Sequence, residues 1–266
     1  MPDPLDIALE IARQAGRLLL DYAGGQLEIS TKSTEIDLVT EADLASERLI
    51  VGAIRRHFPE HTILSEEGLG DLQQIAGESE HLWLVDPLDG TVNYAHGLAV
   101  WGVSLTLAEA GRPVIAASYD PVRDEMFWAR RGEGAWCNGR RIHVSKAGRL
   151  SQALVATGFA YKRATLEENN LREFNAMMPR VQGVRRAGAA VLDLANLAAG
   201  RLDAYWEMFL QPWDWAAGWL LVEEAGGTVT DLRGEPWELG KQSMAASNGT
   251  LHAELLDVLR QARSET

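Results

Sequence analysis

The decisive stretch of this 266-residue chain is His81-Leu82-Trp83-Leu84-Val85-Asp86-Pro87-Leu88-Asp89-Gly90-Thr91-Val92-Asn93-Tyr94. Its apolar start predicts a buried strand, which ends near Pro87 because proline fixes its own φ and has no N–H to extend a ladder. Gly90 lets the backbone approach a ligand, and the N–H groups beside it can hold an anion. The carboxylates of Asp86 and Asp89 suit a place beside an anion if a divalent cation lies between them. The stretch therefore predicts a metal-dependent site for a phosphate group.

The same residues also have a purely structural interpretation. Asp-Pro and Asp-Gly are ordinary turn residues, so Asp-Gly alone would favour a simple turn. A second stretch, residues 213–227, favours a site. It reads as a helix with Asp214 in its first turn and the pair Gly226-Gly227 at its end.

Together these stretches resemble the inositol monophosphatase family. The resemblance rests on Asp86-Pro-Leu-Asp-Gly-Thr-Val-Asn-Tyr94, Trp213-Asp-Trp-Ala-Ala-Gly218 and Glu223-Glu-Ala-Gly-Gly227. Four further matching pieces follow the expected order: Lys32 with Asp37-Leu-Val-Thr-Glu-Ala-Asp43, Ile63-Leu-Ser-Glu-Glu67, Gly188-Ala-Ala190 and Asp203-Ala-Tyr-Trp-Glu207. The similarity runs from the first helix to near the C-terminus, and its paired motifs specify the superfamily more sharply than the substrate.

Length and composition favour one globular domain, residues 1–266, made of a lobe 1–144 and a lobe 145–266 that share an interface. The formal net charge of −13 disfavours direct nucleic-acid binding, which needs a basic surface. No apolar run reaches the length of a membrane span, and the acidic N-terminus lacks the order of a signal peptide. The single cysteine, Cys137, fits a reducing compartment, so we predict a cytoplasmic protein that does not contact membranes.

The spacing of the periodic segments differs between the lobes. Closely spaced strands in the first lobe predict an α+β arrangement with an antiparallel sheet, and strands alternating with helices in the second predict an α/β arrangement. The predicted helices are 4–23, 42–58, 165–178, 189–199, one containing Asp214, and 250–262; the main predicted strands are 82–85, 101–107, 114–119, 126–129, 154–157, 181–185, 204–206, 228–231 and 243–247. The resemblance implies the layered α-β-α-β-α sugar-phosphatase fold and a homodimer.

Four acidic residues from three separate segments are the candidate metal ligands: Glu66, Asp86, Asp89 and Asp214. If their carboxylates converge they repel one another, and some must take up protons unless cations neutralise them. Oxygen ligands without His or Cys favour Mg²⁺. Two such ions about 3.5–4 Å apart can hold the attacking and the leaving oxygen of an in-line displacement.

The resemblance divides the metal ligands and the catalytic roles between these residues. It implies a first Mg²⁺ on Glu66, Asp86 and the Leu88 carbonyl, a second on Asp86, Asp89 and Asp214, and a weaker third that uses Glu66 and water. The nucleophile is then a water activated by the metal and oriented by Thr91 and Asp43, so Glu66, Thr91 and Asp43 form the catalytic group. Direct attack by Thr91 is disfavoured, because no base of the Ser–His kind lies near it in sequence.

Substrate contacts are predicted in both lobes. The Gly90 and Thr91 N–H groups suit the phosphate. By resemblance, the hydroxyls of a sugar or cyclitol meet a set of residues in both lobes: Asp89, Gly188, Ala189, Ala190, Glu207 and Asp214. Ala189 stands where many relatives have threonine, so only its backbone contact is expected.

Some of these residues keep a second interpretation. Asp43 could simply cap a helix that begins after Thr40, and Glu207 could be an exposed acid. Lys32 either screens charge near the site or is solvated. Arg185-Arg186 either binds a second phosphate or lies at a solvated strand end.

The expected activity is Mg²⁺-dependent, Li⁺-sensitive hydrolysis of myo-inositol monophosphates. Residues 91–96 and 203–207 resemble the inositol branch of the family. The same metal site could instead act on fructose 1,6-bisphosphate, histidinol phosphate or a 3′-phosphoadenosine nucleotide. A different class of function is also open, an interaction protein that retains phosphatase activity, since some bacterial relatives act in transcription complexes with RNA polymerase factors.

Overall fold

The computed structural model describes residues 2–23, 25, 28–68 and 79–264. Its helices are α1 Pro4–Tyr22, α2 Glu41–His57, α3 Thr91–Ala95, α4 Leu171–Met177, α5 Ala190–Ala198, α6 Pro212–Glu224 and α7 His252–Ser264. Its strands are β1 Ile29–Thr31, β2 Leu38–Thr40, β3 Thr62–Ser65, β4 His81–Asp89, β5 Gly102–Glu109, β6 Arg112–Asp120, β7 Glu125–Arg130, β8 Gly134–Cys137, β9 Arg140–Ile142, β10 Leu154–Thr157, β11 Gly183–Arg185, β12 Ala204–Met208, β13 Thr228–Thr230 and β14 Ser243–Ser247. Among the described residues, no helix combines the length and the apolar character needed to cross a membrane.

Strands β3 to β9 form a seven-stranded sheet in chain order. Only the β3–β4 pair is parallel, and each later pair is antiparallel, as predicted for the first lobe. The Asn138-Gly139 turn joins β8 to β9, and both residues have positive φ, 48° and 74°. Such angles match a tight hairpin turn between twisted strands.

The second sheet is mixed, in the order β11-β10-β12-β14-β13. Strand β10 pairs in parallel with β11 and β12, as strand–helix alternation predicts. Strand β14 is antiparallel to both β12 and β13. The chain returns from β13 through residues 231–242, which contain no helix to carry it over the sheet, so this part departs from a pure α/β pattern.

The elements stack in five layers, which confirms the predicted α-β-α-β-α fold. Helices α1 and α2 cover one face of the seven-stranded sheet, where Leu19 and Ile54 pack with Leu105. Helices α5 and α6 lie between the two sheets, and Trp215 of α6 belongs to a core that includes Phe127 of one sheet and Tyr205 of the other. Helices α4 and α7 cover the outer face of the five-stranded sheet.

Helix α4 is shorter than the predicted 165–178 because Asn170 interrupts the segment. Asn170 has φ 70°, which a helix interior does not allow. Its side-chain amide donates to the Thr157 hydroxyl at 2.8 Å and to the Gly158 carbonyl at 2.6 Å, and its oxygen accepts from the Trp206 indole at 2.6 Å. These bonds fix Asn170 beside the second sheet, so the helix begins only at Leu171.

Candidate metal and phosphate site

Strand β4 ends in an irregularity that holds the two motif aspartates. Asp86 pairs with Ser104 and Asp89 with Gly102, so three steps on β4 face two on β5, which is a bulge. Asp86 Oδ1 accepts a hydrogen bond from the Leu88 N–H at 3.1 Å. The Leu88 side chain is fully buried in the core under α1 and α2, which anchors the bulge.

Gly90 is required at the turn after β4. Its φ is +89°, and a Cβ there would lie 2.9 Å from the Val100 carbonyl oxygen and 3.3 Å from that of Gly188. Helix α3 begins at the next residue, Thr91, so the N–H groups of its first turn have no acceptor within the helix. The backbone here therefore has the conformation and the free donors that the sequence predicted for an anion.

Thr91 and Asp43 form a buried pair. The Thr91 hydroxyl lies 2.9 Å from Asp43 Oδ1 and 3.1 Å from the Leu88 carbonyl oxygen. Asp43 Oδ2 accepts from the N–H of Thr40 at 2.8 Å and from its hydroxyl at 2.5 Å. One oxygen of Asp43 thus caps α2, as its structural interpretation predicts, while the other faces Thr91. Burial raises the pKa of Asp43, against the effect of these hydrogen bonds.

The four predicted acidic ligands line one cavity of about 510 Å³. Burial is the main cause that raises their pKa values. Repulsion from other members of the set adds to it for Asp86, Asp89 and Asp214, and repulsion from Asp43 adds to it for Glu66. The pKa of Asp89 rises to about 8, and those of Asp86 and Asp214 rise well above their ordinary range. The cavity therefore holds more negative charge than the protein itself compensates.

Lys32 partly compensates this charge. Its ammonium lies 2.8 Å from Glu66 Oε1 and also contacts Glu67. Burial alone would lower the pKa of Lys32, but the two carboxylates reverse that effect and raise it. Burial raises the pKa of Glu67 to about 7. Of the two interpretations of Lys32, this ion pairing at the cavity favours the one in which Lys32 screens the charge of the acids.

The donor set fits a hard divalent cation by its chemistry. Its members are carboxylate oxygens and the Leu88 carbonyl, which suit Mg²⁺. Within the described part of the chain, no three His, Cys, Asp or Glu side chains already converge as the ligands of one ion. Several carboxylates instead accept from protein donors: Asp89 Oδ2 from the Val191 N–H at 2.8 Å and Asp214 Oδ2 from the Gln211 N–H at 2.7 Å.

The second lobe supplies the opposite wall. Glu207 lines the cavity and accepts from the Tyr205 hydroxyl, so it is not the exposed acid of the alternative interpretation. Burial raises the pKa of Glu207 to about 7, against the effects of Tyr205 and Arg186. A Cβ at Gly158 would lie 2.1 Å from both Glu207 carboxylate oxygens, so glycine leaves room for that side chain.

The remaining predicted substrate residues also reach this wall. Gly188, Ala189 and Ala190 line the cavity at the start of α5. Asn93 of α3 connects this segment to the turn at Gly90 and Thr91. Its side-chain amide donates to the Val100 carbonyl at 2.7 Å and to the Ala187 carbonyl at 2.8 Å. Arg186 lines the cavity, whereas Arg185 donates to the neighbouring Val184 carbonyl at 3.3 Å.

Sequence reasoning missed several lining residues. They lie mostly in segments without helix or strand periodicity and include Phe159, Tyr161, Lys162, Leu166, Asp193, Phe209 and Gln242. Phe209 is unusual, because it has φ 63° although it is a bulky residue, and 37% of its surface is exposed. No local pattern marks these positions, since only the packing of the two lobes brings them to the cavity.

Comparison with known proteins agrees with the resemblance. Residues 2–264 match the model of the inositol monophosphatase family. Over 263 residues, the chain is 43% identical to a Pseudomonas aeruginosa protein named Nus factor SuhB, a match that covers 98% of this chain and 97% of that protein. A solved structure of inositol monophosphatase from Anabaena sp. PCC 7120 is 44% identical, with a TM-score of 0.86 and coverage of 97% of this chain and 95% of that one.

A more distant solved structure carries a metal. It is described as an IMPase/NADP phosphatase complexed with Mg²⁺ and phosphate, and it is 26% identical, with a TM-score of 0.80. The match covers 92% of this chain and 90% of that one. These relatives support phosphatase activity for the family. Their names differ in function, since one is a Nus factor, one an inositol monophosphatase and one an IMPase/NADP phosphatase.

Proposed function

Because the chain belongs to the inositol monophosphatase family, we propose that it is a Mg²⁺-dependent phosphomonoesterase that hydrolyses myo-inositol monophosphates to myo-inositol and phosphate. One observation carries the proposal: four acidic side chains from three separate segments line the same cavity as Gly90 and Thr91. A hydrated cation and a phosphate are the partners that such a cavity suits.

Glu66, Asp86, Asp89, Asp214 and the Leu88 carbonyl would hold the metal, as two or three Mg²⁺ ions. Bound Mg²⁺ would neutralise phosphate charge and lower the pKa of water toward neutrality. In its absence the carboxylates repel one another, and this repulsion is part of what raises their pKa values. The solved relative with Mg²⁺ and phosphate supports this assignment.

Thr91 and Asp43 would orient the attacking water and receive its proton. When the Leu88 carbonyl serves as a ligand, the Thr91 hydroxyl donates to Asp43 Oδ1, 2.9 Å away. A lone pair of Thr91 Oγ1 then faces the water. The water proton can move to Thr91 Oγ1 while the threonine proton moves to Asp43 Oδ1, because Asp43 Oδ2 is already held by Thr40.

The substrate would span the two lobes. Its phosphate would accept from the Gly90 and Thr91 N–H groups, and Glu66 would lie on the side of the water. Its hydroxyls would meet Asp89, the backbone of residues 188–190, Glu207 and Asp214. The hydrogen bonds of Asn93 to both sides of the cavity support a fixed distance between the turn at Gly90 and the backbone of residues 188–190.

A phosphate-release assay tests the proposal. Inositol 1-phosphate is expected to be hydrolysed faster than fructose 1,6-bisphosphate, histidinol phosphate or 3′-phosphoadenosine 5′-phosphate, and only with Mg²⁺ present. Li⁺ is expected to inhibit at about tens of millimolar, where a weak site fills. Faster turnover of the bisphosphate, or full activity in Li⁺, would contradict the inositol assignment.

A second candidate function comes from the relative named Nus factor SuhB. We propose it as an additional role, binding to a transcription complex through a surface outside the cavity. Binding of wild type and Asp89→Asn to a reconstituted RNA polymerase complex tests it. Equal binding of both proteins supports a role separate from catalysis, and absence of binding by wild type contradicts it.

Two further parts of the proposal concern assembly and location. The family resemblance supports a homodimer of single-domain chains in the cytoplasm. Sedimentation at several protein concentrations tests the dimer, and fractionation of the source cells tests the location. A monomer at every concentration would contradict the first part, and recovery outside the cytoplasm the second.

A further inference from the structure

Asp193 is a buried carboxylate that the reaction described above does not use. It lies in the first turn of α5, is only 5% exposed and lines the cavity. Among the described residues it has no hydrogen-bond or ion-pair partner. A carboxylate removed from water without a partner is strongly unfavourable, so its position is compatible with folding only if water or a ligand supplies the partner.

The helix places Asp193 next to the predicted hydroxyl contacts. Its N–H donates to the Ala189 carbonyl at 3.0 Å, so the two residues are four apart and share one face of the helix. Ala189 carries only a methyl group, which cannot cover the carboxylate or bond to it. On the same first turn, the Val191 N–H donates to Asp89. The part of the opposite wall that is predicted to contact the substrate hydroxyls therefore extends from the backbone of residues 188–190 to Asp193.

The charges around Asp193 favour neutral hydroxyl groups over a second phosphate as the ligand. Besides burial, Asp89 and Glu207 raise the pKa of Asp193, and only Arg186 lowers it. Arg186 also lies close enough to Glu207 to lower its pKa. The positive charge of Arg186 is thus opposed by two acids, and a second phosphate here would meet net negative charge. Neutral hydroxyls, which can donate to carboxylates and accept from a guanidinium, suit the same groups.

We propose that Asp193 is a specificity-determining residue that binds a hydroxyl of the substrate alcohol and, with Glu207, disfavours a second phosphate. The inference rests on the proposed phosphatase function and deepens it. It places the substrate among polyol monophosphates with free hydroxyls on the side away from the reacting phosphate. It also argues against the interpretation of Arg186 as a second phosphate site, and places this residue of the cavity lining beside the hydroxyls instead.

Calorimetry on the Ca²⁺-loaded protein tests the proposal through binding, as a relative has been solved with both NADP and Ca²⁺ bound. The ligands are inositol 1-phosphate, inorganic phosphate and fructose 1,6-bisphosphate. Asp193→Asn is expected to weaken the binding of inositol 1-phosphate about tenfold more than the binding of inorganic phosphate, because a hydrogen bond to a charged group is lost. The same change should narrow the preference for inositol 1-phosphate over the bisphosphate. A structural role would weaken all three ligands by the same factor.

Three results would overturn the inference. The first is an equal loss of affinity for all three ligands in Asp193→Asn, and the second is wild-type binding of inositol 1-phosphate no tighter than that of phosphate. The third is a wild-type preference for the bisphosphate that Asp193→Asn reduces. Should the Asn variant not fold, Asp193→Glu keeps the charge and shifts the carboxylate, and the same comparison applies. Loss of phosphate release from every substrate in wild type would instead refute the proposed function. The binding ratios would still decide the role of Asp193.

Discussion

The two walls of the cavity differ in how tightly the protein holds their polar groups. Around the end of β4, the Thr91 hydroxyl, both oxygens of Asp43 and one of Asp86 have partners within the protein. Across the cavity, Asp193 has no such partner among the described residues, and Arg186 forms no ion pair there. The first wall is fixed before any ligand arrives, as catalysis needs, while the second leaves groups to be satisfied by the substrate.

This difference separates chemistry from selectivity. A change in the first wall should lower the rate with every substrate, because it acts on the reacting phosphate. A change in the second should alter the preference between substrates and leave the rate with small phosphoesters less affected.

The largest effect is expected for Asp89→Asn. The variant loses a carboxylate that would hold Mg²⁺, and a Lewis acid contributes several kcal/mol, so kcat should fall by about a thousandfold or more. Phosphate release and circular dichroism measure activity and fold. Asp257→Asn, an exposed position on α7 outside the cavity lining, serves as the acidic control. Unchanged turnover in Asp89→Asn would refute the metal assignment.

Thr91→Val should cost somewhat less, about a hundredfold in kcat, because it removes the hydroxyl that orients the water and passes its proton. Thr91→Ser keeps the hydroxyl and is expected to stay close to wild type. The comparison needs saturating substrate, so that kcat is measured and not binding. A loss of kcat in Thr91→Ser with Thr91→Val close to wild type would indicate that the methyl group of Thr91 matters and its hydroxyl does not.

Gly158→Ala tests the second wall. The added Cβ would overlap the Glu207 carboxylate, whose flexible end moves aside while the fold stays intact. KM for inositol 1-phosphate should rise about tenfold, as for one lost hydrogen bond to a charged group, with a smaller change in kcat. Gly148→Ala is the matched control, since no atom lies within 4 Å of its new Cβ. A fall in kcat without a rise in KM would contradict the division between the walls.

The smallest effect concerns pH and the metal-free protein. Folded Asp89 has a pKa of about 8, above its unfolded value, so the folded state holds a proton that the unfolded state releases. Stability without metal should therefore fall as pH rises from about 4 to 8. Mg²⁺ binds the ionised carboxylates and should raise Tm by about 3 °C more at pH 8.5 than at pH 6.

Thermal scans with Mg²⁺ or with NaCl at the same ionic strength measure this difference. The NaCl arm removes the part that is due to screening alone. A larger rise in Tm at pH 6 than at pH 8.5 would show that the carboxylates are not the groups that Mg²⁺ stabilises.

The fixed wall was predictable because its signals are local. A turn that needs Gly90 and a helix that begins after Thr40 are each visible within a few residues. The strand predicted to end near Pro87 instead continues through a bulge to Asp89, where Asp89 pairs with Gly102. The five layers followed from the family resemblance, while periodicity predicted the α+β and α/β character of the two lobes. How these residues act remains a prediction.

The other wall was predictable only in part. Asp193 and Gly158 look ordinary in sequence, and their place at the cavity depends on how α5 and β12 pack. Asn170 shortened α4 through three side-chain hydrogen bonds to residues distant in sequence, which no helical pattern reveals. Likewise, β14 can run antiparallel to β13 because the connection between them, residues 231–242, contains no helix.

Phe209 has a consequence for engineering. Its left-handed backbone conformation disfavours any residue with a Cβ, and glycine would relieve about 1 kcal/mol of strain. A library selected only for heat resistance is therefore expected to replace this phenylalanine with glycine. Such a selection would remove an aromatic ring from the cavity rim, and nothing in a melting curve would report the loss.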